Sequence, residues 1–290
     1  MRKLICVLLA LLMVAGIGVN ALAMVPVGEQ RVVVGYNLTQ EMREQVYADF
    51  GLLPGHVPEL TVTIEEERAH LQGLVPDSVI GQRSHSSIYI ITTRPGTGLD
   101  IEINNINWIT EQIYVNALVT AGITDARVII TAPFPVSGTA ALTGIYKAFE
   151  DITGEALDEE AKRVGIEEAV ITSTLAEELG DDEDIAALIN ELKLILDEVR
   201  TMTDDEVRTE IRRLAVEFNV NLTNDQVEQI LRLARSLENL DLGALRGALE
   251  SIARNAGRLA EFRESAGGFF EAIGNFFSRI GSFFSNLFGG

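Results

Sequence analysis

At Gly154 the chain changes its periodicity, and that break limits the fold more than any other feature. Before it, short β-branched runs alternate with helical segments. After it, strand signals vanish and every periodic stretch repeats with helical spacing. The break separates an α/β part, residues 24–154, from an acidic helical part, residues 155–265. An export segment, 1–23, and a Phe-rich tail, 266–290, flank the two.

In the α/β part, Arg31–Tyr36, Leu60–Ile64, Ser86–Thr92 and Leu99–Ile103 have strand character. Thr39 opens a helix carrying Met42, Val46, Tyr47 and Phe50, and Gly51 stops it. A short helix over 65–74 begins with three acids at its favourable N-terminus. Arg94 to Gly98 reads as a hairpin-like link between two of the strands. The centre is 110–150. A helix over 110–121 ends at Gly122, and the buried run Val128-Ile129-Ile130 follows as a strand that Pro133 and Pro135 should stop. Ser137 then becomes the natural N-cap of a second helix. The order βαβαββαβα predicts a mixed sheet covered by helices.

In the helical part, residues 155–198 hold fifteen acids against Lys162, Arg163 and Lys193. Ile185, Leu188, Ile189, Leu192, Ile195, Leu196 and Val199 form one apolar stripe. Thr203-x-x-Glu206 and Thr223-x-x-Gln226 are capping boxes twenty residues apart, which suggests a degenerate two-helix repeat. From Leu242 to Leu259 the a/d spacing fits bundle packing.

A formal charge of −20 leaves no basic stripe for phosphates and excludes nucleic acid as a partner. Arg2-Lys3, the apolar run Leu4–Val19 and Ala21-Leu22-Ala23 have the three parts of a cleaved secretory signal peptide. Cys6, the one cysteine, lies inside that apolar run, so the mature chain has no thiol chemistry.

The tail has three seven-residue units, FFEAIGN, FFSRIGS and FFSNLFG. As a helix it places Phe269, Phe270, Ile273, Phe276, Phe277, Ile280, Phe283, Phe284 and Leu287 on one face, with Phe288 beside them. Only Glu271 and Arg279 bring charge to the opposite face, a pattern suited to a bilayer interface or a partner protein.

The search for chemistry returns little. His56, His70 and His85 lack metal-ligand spacing and are expected at the solvent-exposed surface. Ser137-Gly138-Thr139 fits neither a nucleophile elbow nor a Walker A loop, but its backbone N–H groups are placed to hold an anion at a helix N-terminus. Asp181-Asp182-Glu183-Asp184 lacks the twelfth-position ligand of a calcium loop, leaving weak calcium binding as the one metal reading and no cofactor. The pairs Glu159/Glu160, Glu167/Glu168 and Glu177/Glu178 read as solvated surface rather than glycosidase carboxylates.

Several stretches resemble the YpuA-like secreted proteins of Gram-positive bacteria, a family of unknown function. They are Val34-Gly35, the run from Val62 through Glu65-Glu66 to Leu74-Val75-Pro76, Ile80-Gly81, Ser86 to Tyr89, Asn104-Asn105-Ile106 and Tyr114 to Leu118. Most specific are Thr120 to Ile123 and Ala132 to Gly144, and the resemblance covers residues 28 to 240. It implies a secreted, envelope-associated protein and brings no catalytic residue, cofactor or substrate. Together these readings point to an exported, non-enzymatic binding protein whose tail meets a membrane surface or another envelope protein. The alternative is a ligand-binding or hydrolytic domain acting on a cell-wall polymer at Pro133–Thr139.

Overall fold

The computed structural model describes residues 25–74 and 80–249. The export segment 1–23 and the tail 266–290 lie outside the described residues. In chain order the elements are β1 (Gln30–Gly35), α1 (Gln40–Asp49), β2 (Glu59–Val62), α2 (Ile64–Leu71), β3 (Ser87–Thr92), β4 (Leu99–Ile106), α3 (Glu111–Thr120), β5 (Ala126–Val136) and α4 (Thr139–Thr153). Among the described residues only helices follow: α5 (Glu159–Leu179), α6 (Asp182–Leu194), α7 (Leu196–Val199), α8 (Asp204–Glu217) and α9 (Asn224–Leu237). Residues 242–249 are helical as well.

The five strands form one mixed sheet in the order β2-β1-β3-β5-β4. β1 runs parallel to β2 and β4 parallel to β5, while β3 is antiparallel to both of its neighbours. Alternation along the strands sorts the side chains between two faces. Val33, Ile88, Ile90, Val128 and Ile130 join the larger core, which α3 and α4 cover. Val32, Val34, Tyr89 and Ile129 join a smaller cluster closed by Val46 and Tyr47 of α1 and by Phe50, which caps that helix.

Two local expectations give way. The link after Thr92 is no hairpin, because β5 lies between β3 and β4 and bonds to both. A strand as apolar on both faces as Val128-Ile129-Ile130 gains most from a central place with a neighbour on each edge. Nor do Pro133 and Pro135 end β5, which runs on to Val136. The β3 ladder finishes at Ser87↔Thr131, so both prolines lie beyond the last rung on that edge. On the other edge the register is irregular between Asn104 and Ile106. There Asn105 adopts φ 57° and its Nδ2 donates to the Ala132 carbonyl at 2.8 Å.

The second core is helical. The stripe from Ile185 to Val199 is buried throughout, though it is shared between α6 and α7, with Ile195 between them. Both capping boxes form as read, Thr203 with Glu206 and Thr223 with Gln226. Each opens one helix, so the repeat is the pair α8 and α9, with one helix and a turn in each twenty-residue unit. Arg208 bridges Glu228, and Arg235 bridges Asp204, tying α8 to α9.

Helix α5 joins the two cores. Its Ile166, Ala169 and Val170 belong to the sheet-side core, and its Val164 and Leu175 to the helical one. It lies so close to α3 that a Cβ on Gly165 would stand 2.6 Å from the Ala117 carbonyl oxygen. Among the described residues no helix is long and apolar enough to cross a membrane.

Candidate functional site

The C-terminal end of β5 delivers the loop on which the sequence placed its ligand site. Thr131 donates to Asp49 at 2.5 Å, and Gln45 Nε2 donates to the Pro133 carbonyl at 3.3 Å, so α1 holds one side. Phe134, 39% exposed, packs edge-on against the His85 ring at 4.9 Å.

Ser137 is not the N-cap of α4. That position belongs to Gly138, in the left-handed region at φ 94° and without a side-chain cap. The reason is local crowding: a Cβ at 138 would stand 2.3 Å from the Tyr114 hydroxyl, which donates to the Gly138 carbonyl at 2.7 Å. Ser137 Oγ instead lies 3.2 Å from Thr139 Oγ1. The Thr139 hydroxyl donates to Glu67 Oε1 at 2.5 Å. Glu67 is 2% exposed, and its Oε2 has no hydrogen-bond partner. Burial pushes its carboxyl up to about 7, against the opposing pull of the Thr139 hydrogen bond and the Arg68 charge. Of the anion-site residues, Ser137, Gly138 and Thr139 thus come together, and a buried acid from α2 joins them.

Sequence reasoning missed Glu67 because it stands in a run of three acids that suits any helix start. The available signal was spacing: Ile64, Glu67 and Leu71 fall on one face of α2, and Leu71 is buried. The same helix start also holds an unremarked capping box, Thr63 with Glu66.

The histidines are less exposed than expected. Only His56 is exposed, while His70 and His85 are half-buried and burial lowers the pKa of both. Asp181 caps α6 by accepting from the Asp184 N–H at 3.0 Å, an ordinary helix-start role. Among the described residues no group of three or more His, Cys, Asp or Glu is placed to hold a metal ion.

One solvated pair needs correction. Glu168 is wholly buried and pairs with Lys193 at 2.7 Å, both side chains at 0% exposure. Thr120 donates to its other oxygen at 2.5 Å. The helical period explains it: Glu168 shares the inward face of α5 with Val164 and Thr172, while Glu167 turns out toward Arg163. The tail positions Phe269, Phe270, Ile273, Phe276, Phe277, Ile280, Phe283, Phe284, Leu287 and Phe288 lie outside the described residues.

No solved structure matches the chain. The uncharacterized protein YpuA of Bacillus subtilis (strain 168) is 37% identical over 223 residues, covering 77% of this chain and 76% of that protein. The family model described as a protein of unknown function, DUF1002, matches residues 34–253. With more than two thirds of its length under that model, the chain belongs to the DUF1002 family.

Proposed function

We propose that this protein is exported and acts at the cell envelope as a binding protein, contacting a membrane surface or another envelope protein through Phe269–Phe288. The observation that carries this reading is the threefold Phe-Phe heptad of the tail. Burying one Phe is worth on the order of 1.5–3 kcal/mol, so three pairs support adsorption to an apolar surface even after helix ordering.

The test is flotation with neutral and anionic lipid vesicles, comparing residues 24–290 with the same chain carrying serine for the six paired phenylalanines. Flotation lost in the substituted chain supports the membrane contact. Equal behaviour of the two on both lipids overturns it and moves the search to a protein partner.

A second reading, ligand binding at Pro133–Thr139, is favoured by the start of α4. Its N-cap offers no side chain, and a buried carboxyl with an unpaired oxygen stands against its first residue.

A further inference from the structure

Three oxygens form a line from the half-buried surface to the interior at the start of α4: Ser137 Oγ, Thr139 Oγ1 and the Glu67 carboxyl. A helix N-terminus favours a negative charge, and here the chain supplies its own. With Glu67 ionised, the hydrogens point inward. Thr139 donates to Glu67, and Ser137 donates to Thr139. A protonated Glu67 reverses that polarity: it donates to Thr139, Thr139 donates to Ser137, and the Ser137 hydrogen turns outward. One proton is taken up and no covalent bond changes.

We propose that the start of α4 is a proton-linked oxyanion site, open to a small oxyanion on the Ser137 hydroxyl and the Thr139 and Ala140 N–H groups when Glu67 is protonated, and closed by its ionised carboxylate. The proposal rests on the second reading above, ligand binding at this loop.

The surroundings of Glu67 set no cation in contact with it. Arg68, next on α2, directs its guanidinium to the Gly81 carbonyl at 2.5 Å. From α3 comes the neutral Tyr114 hydroxyl, bound to Gly138. Along α4, Thr143 lies one turn beyond Thr139, and its buried hydroxyl is also unpartnered. Lys147, two turns along, is held by Glu66 at 2.5 Å and the Thr61 carbonyl at 2.7 Å. Helix α5 presents Lys162, held by Glu150 and Glu159, each at 2.8 Å. Among the described residues, then, no ion pair compensates Glu67. A lone buried carboxyl is the kind of group that exchanges its proton near neutrality, and burial does raise this one to about 7.

Sulfate is the probe, because it keeps its charge across neutral pH. Its affinity for the full chain is measured by calorimetry, and the amide shifts of Thr139 and Ala140 are followed alongside. With Glu67 titrating at about 7, binding at about pH 5.5 should exceed that at about pH 8.5 by on the order of 30-fold, the ratio of protonated fractions. Glu67→Gln should bind at both pH values and lose that ratio. Ser137→Ala, a half-buried substitution, should weaken binding at the lower pH. Equal wild-type affinities at the two pH values overturn the proton linkage and leave the loop as a ligand site. Sulfate that moves neither amide at either pH, in wild type and in Glu67→Gln, removes both the linkage and the ligand reading.

Discussion

Replacing Lys193 with methionine strands the Glu168 carboxylate where no water reaches it, since both side chains are 0% exposed and 2.7 Å apart. The cost of removing one partner of such a pair is about 3–5 kcal/mol, far above the 0–1 kcal/mol of an exposed pair. Three hydrogen bonds raise the stakes. Thr120 donates to Glu168 at 2.5 Å, and Lys193 reaches the Asn116 carbonyl and Thr120 Oγ1, both at 3.4 Å. Glu168→Gln should cost a similar amount by leaving the ammonium uncompensated. The double variant leaves no buried charge, and the amide oxygen introduced by Glu168→Gln still accepts from Thr120. Its cost should therefore fall below the sum of the singles by about 2 kcal/mol or more. Urea unfolding supplies the numbers, followed by far-UV circular dichroism and by the fluorescence of Trp108. That tryptophan donates to Glu177 of α5 at 3.1 Å and so reports on the same junction. Singles costing under about 1 kcal/mol and adding to the double within about 0.5 kcal/mol would falsify the clamp.

Glu67 gives a stability prediction of opposite sign to the usual carboxylate. Its folded pKa, about 7, stands above the ordinary 4.5, so the fold binds this proton more tightly than the unfolded chain. Its contribution is full below the unfolded pKa and is lost as pH rises through the folded one, by up to about 3 kcal/mol. The wild-type stability minus that of Glu67→Gln, from urea midpoints across pH, should fall over that window and be flat above it; a difference that rises with pH rejects the assignment. Gly165→Val should lower stability by about 1–3 kcal/mol through overpacking, because its Cβ would meet the Ala117 carbonyl at 2.6 Å and the Tyr146 hydroxyl at 2.9 Å. An unchanged thermal midpoint would show that α3 and α5 separate freely.

Local rules were legible where the physics is local. The Thr203 and Thr223 boxes announce themselves in four residues, and the stripe from Ile185 onward needs only a helical period. The mixed sheet followed from the β-branched runs, but its order did not. Nothing within 93–98 reveals that a strand from beyond β4 will insert beside β3, because strand pairing is a property of the whole sheet. Pro133 and Pro135 misled for the same reason: a proline ends a strand only where its missing N–H was needed, and the β3 ladder had stopped at Thr131. At the candidate site, Ser137 carries a strong capping propensity, yet the Tyr114 hydroxyl from another helix gives the cap to Gly138.

The two buried acids differ in what burial leaves them able to do. Glu168 meets an ammonium and a hydroxyl, so both of its oxygens are engaged. Such a group fixes how α5 and α6 lie against α3. Glu67 has one oxygen on Thr139 and the other on nothing, with no ion-pair partner among the described residues. Neither of its protonation states is fully satisfied, so their energies lie close and a proton or a nearby ligand is enough to choose between them. It also stands where β5, parallel to β4, hands the chain on to α4, the end at which an α/β sheet opens toward ligands. Structural work falls to the compensated acid, and any chemistry this domain performs should be sought at the uncompensated one.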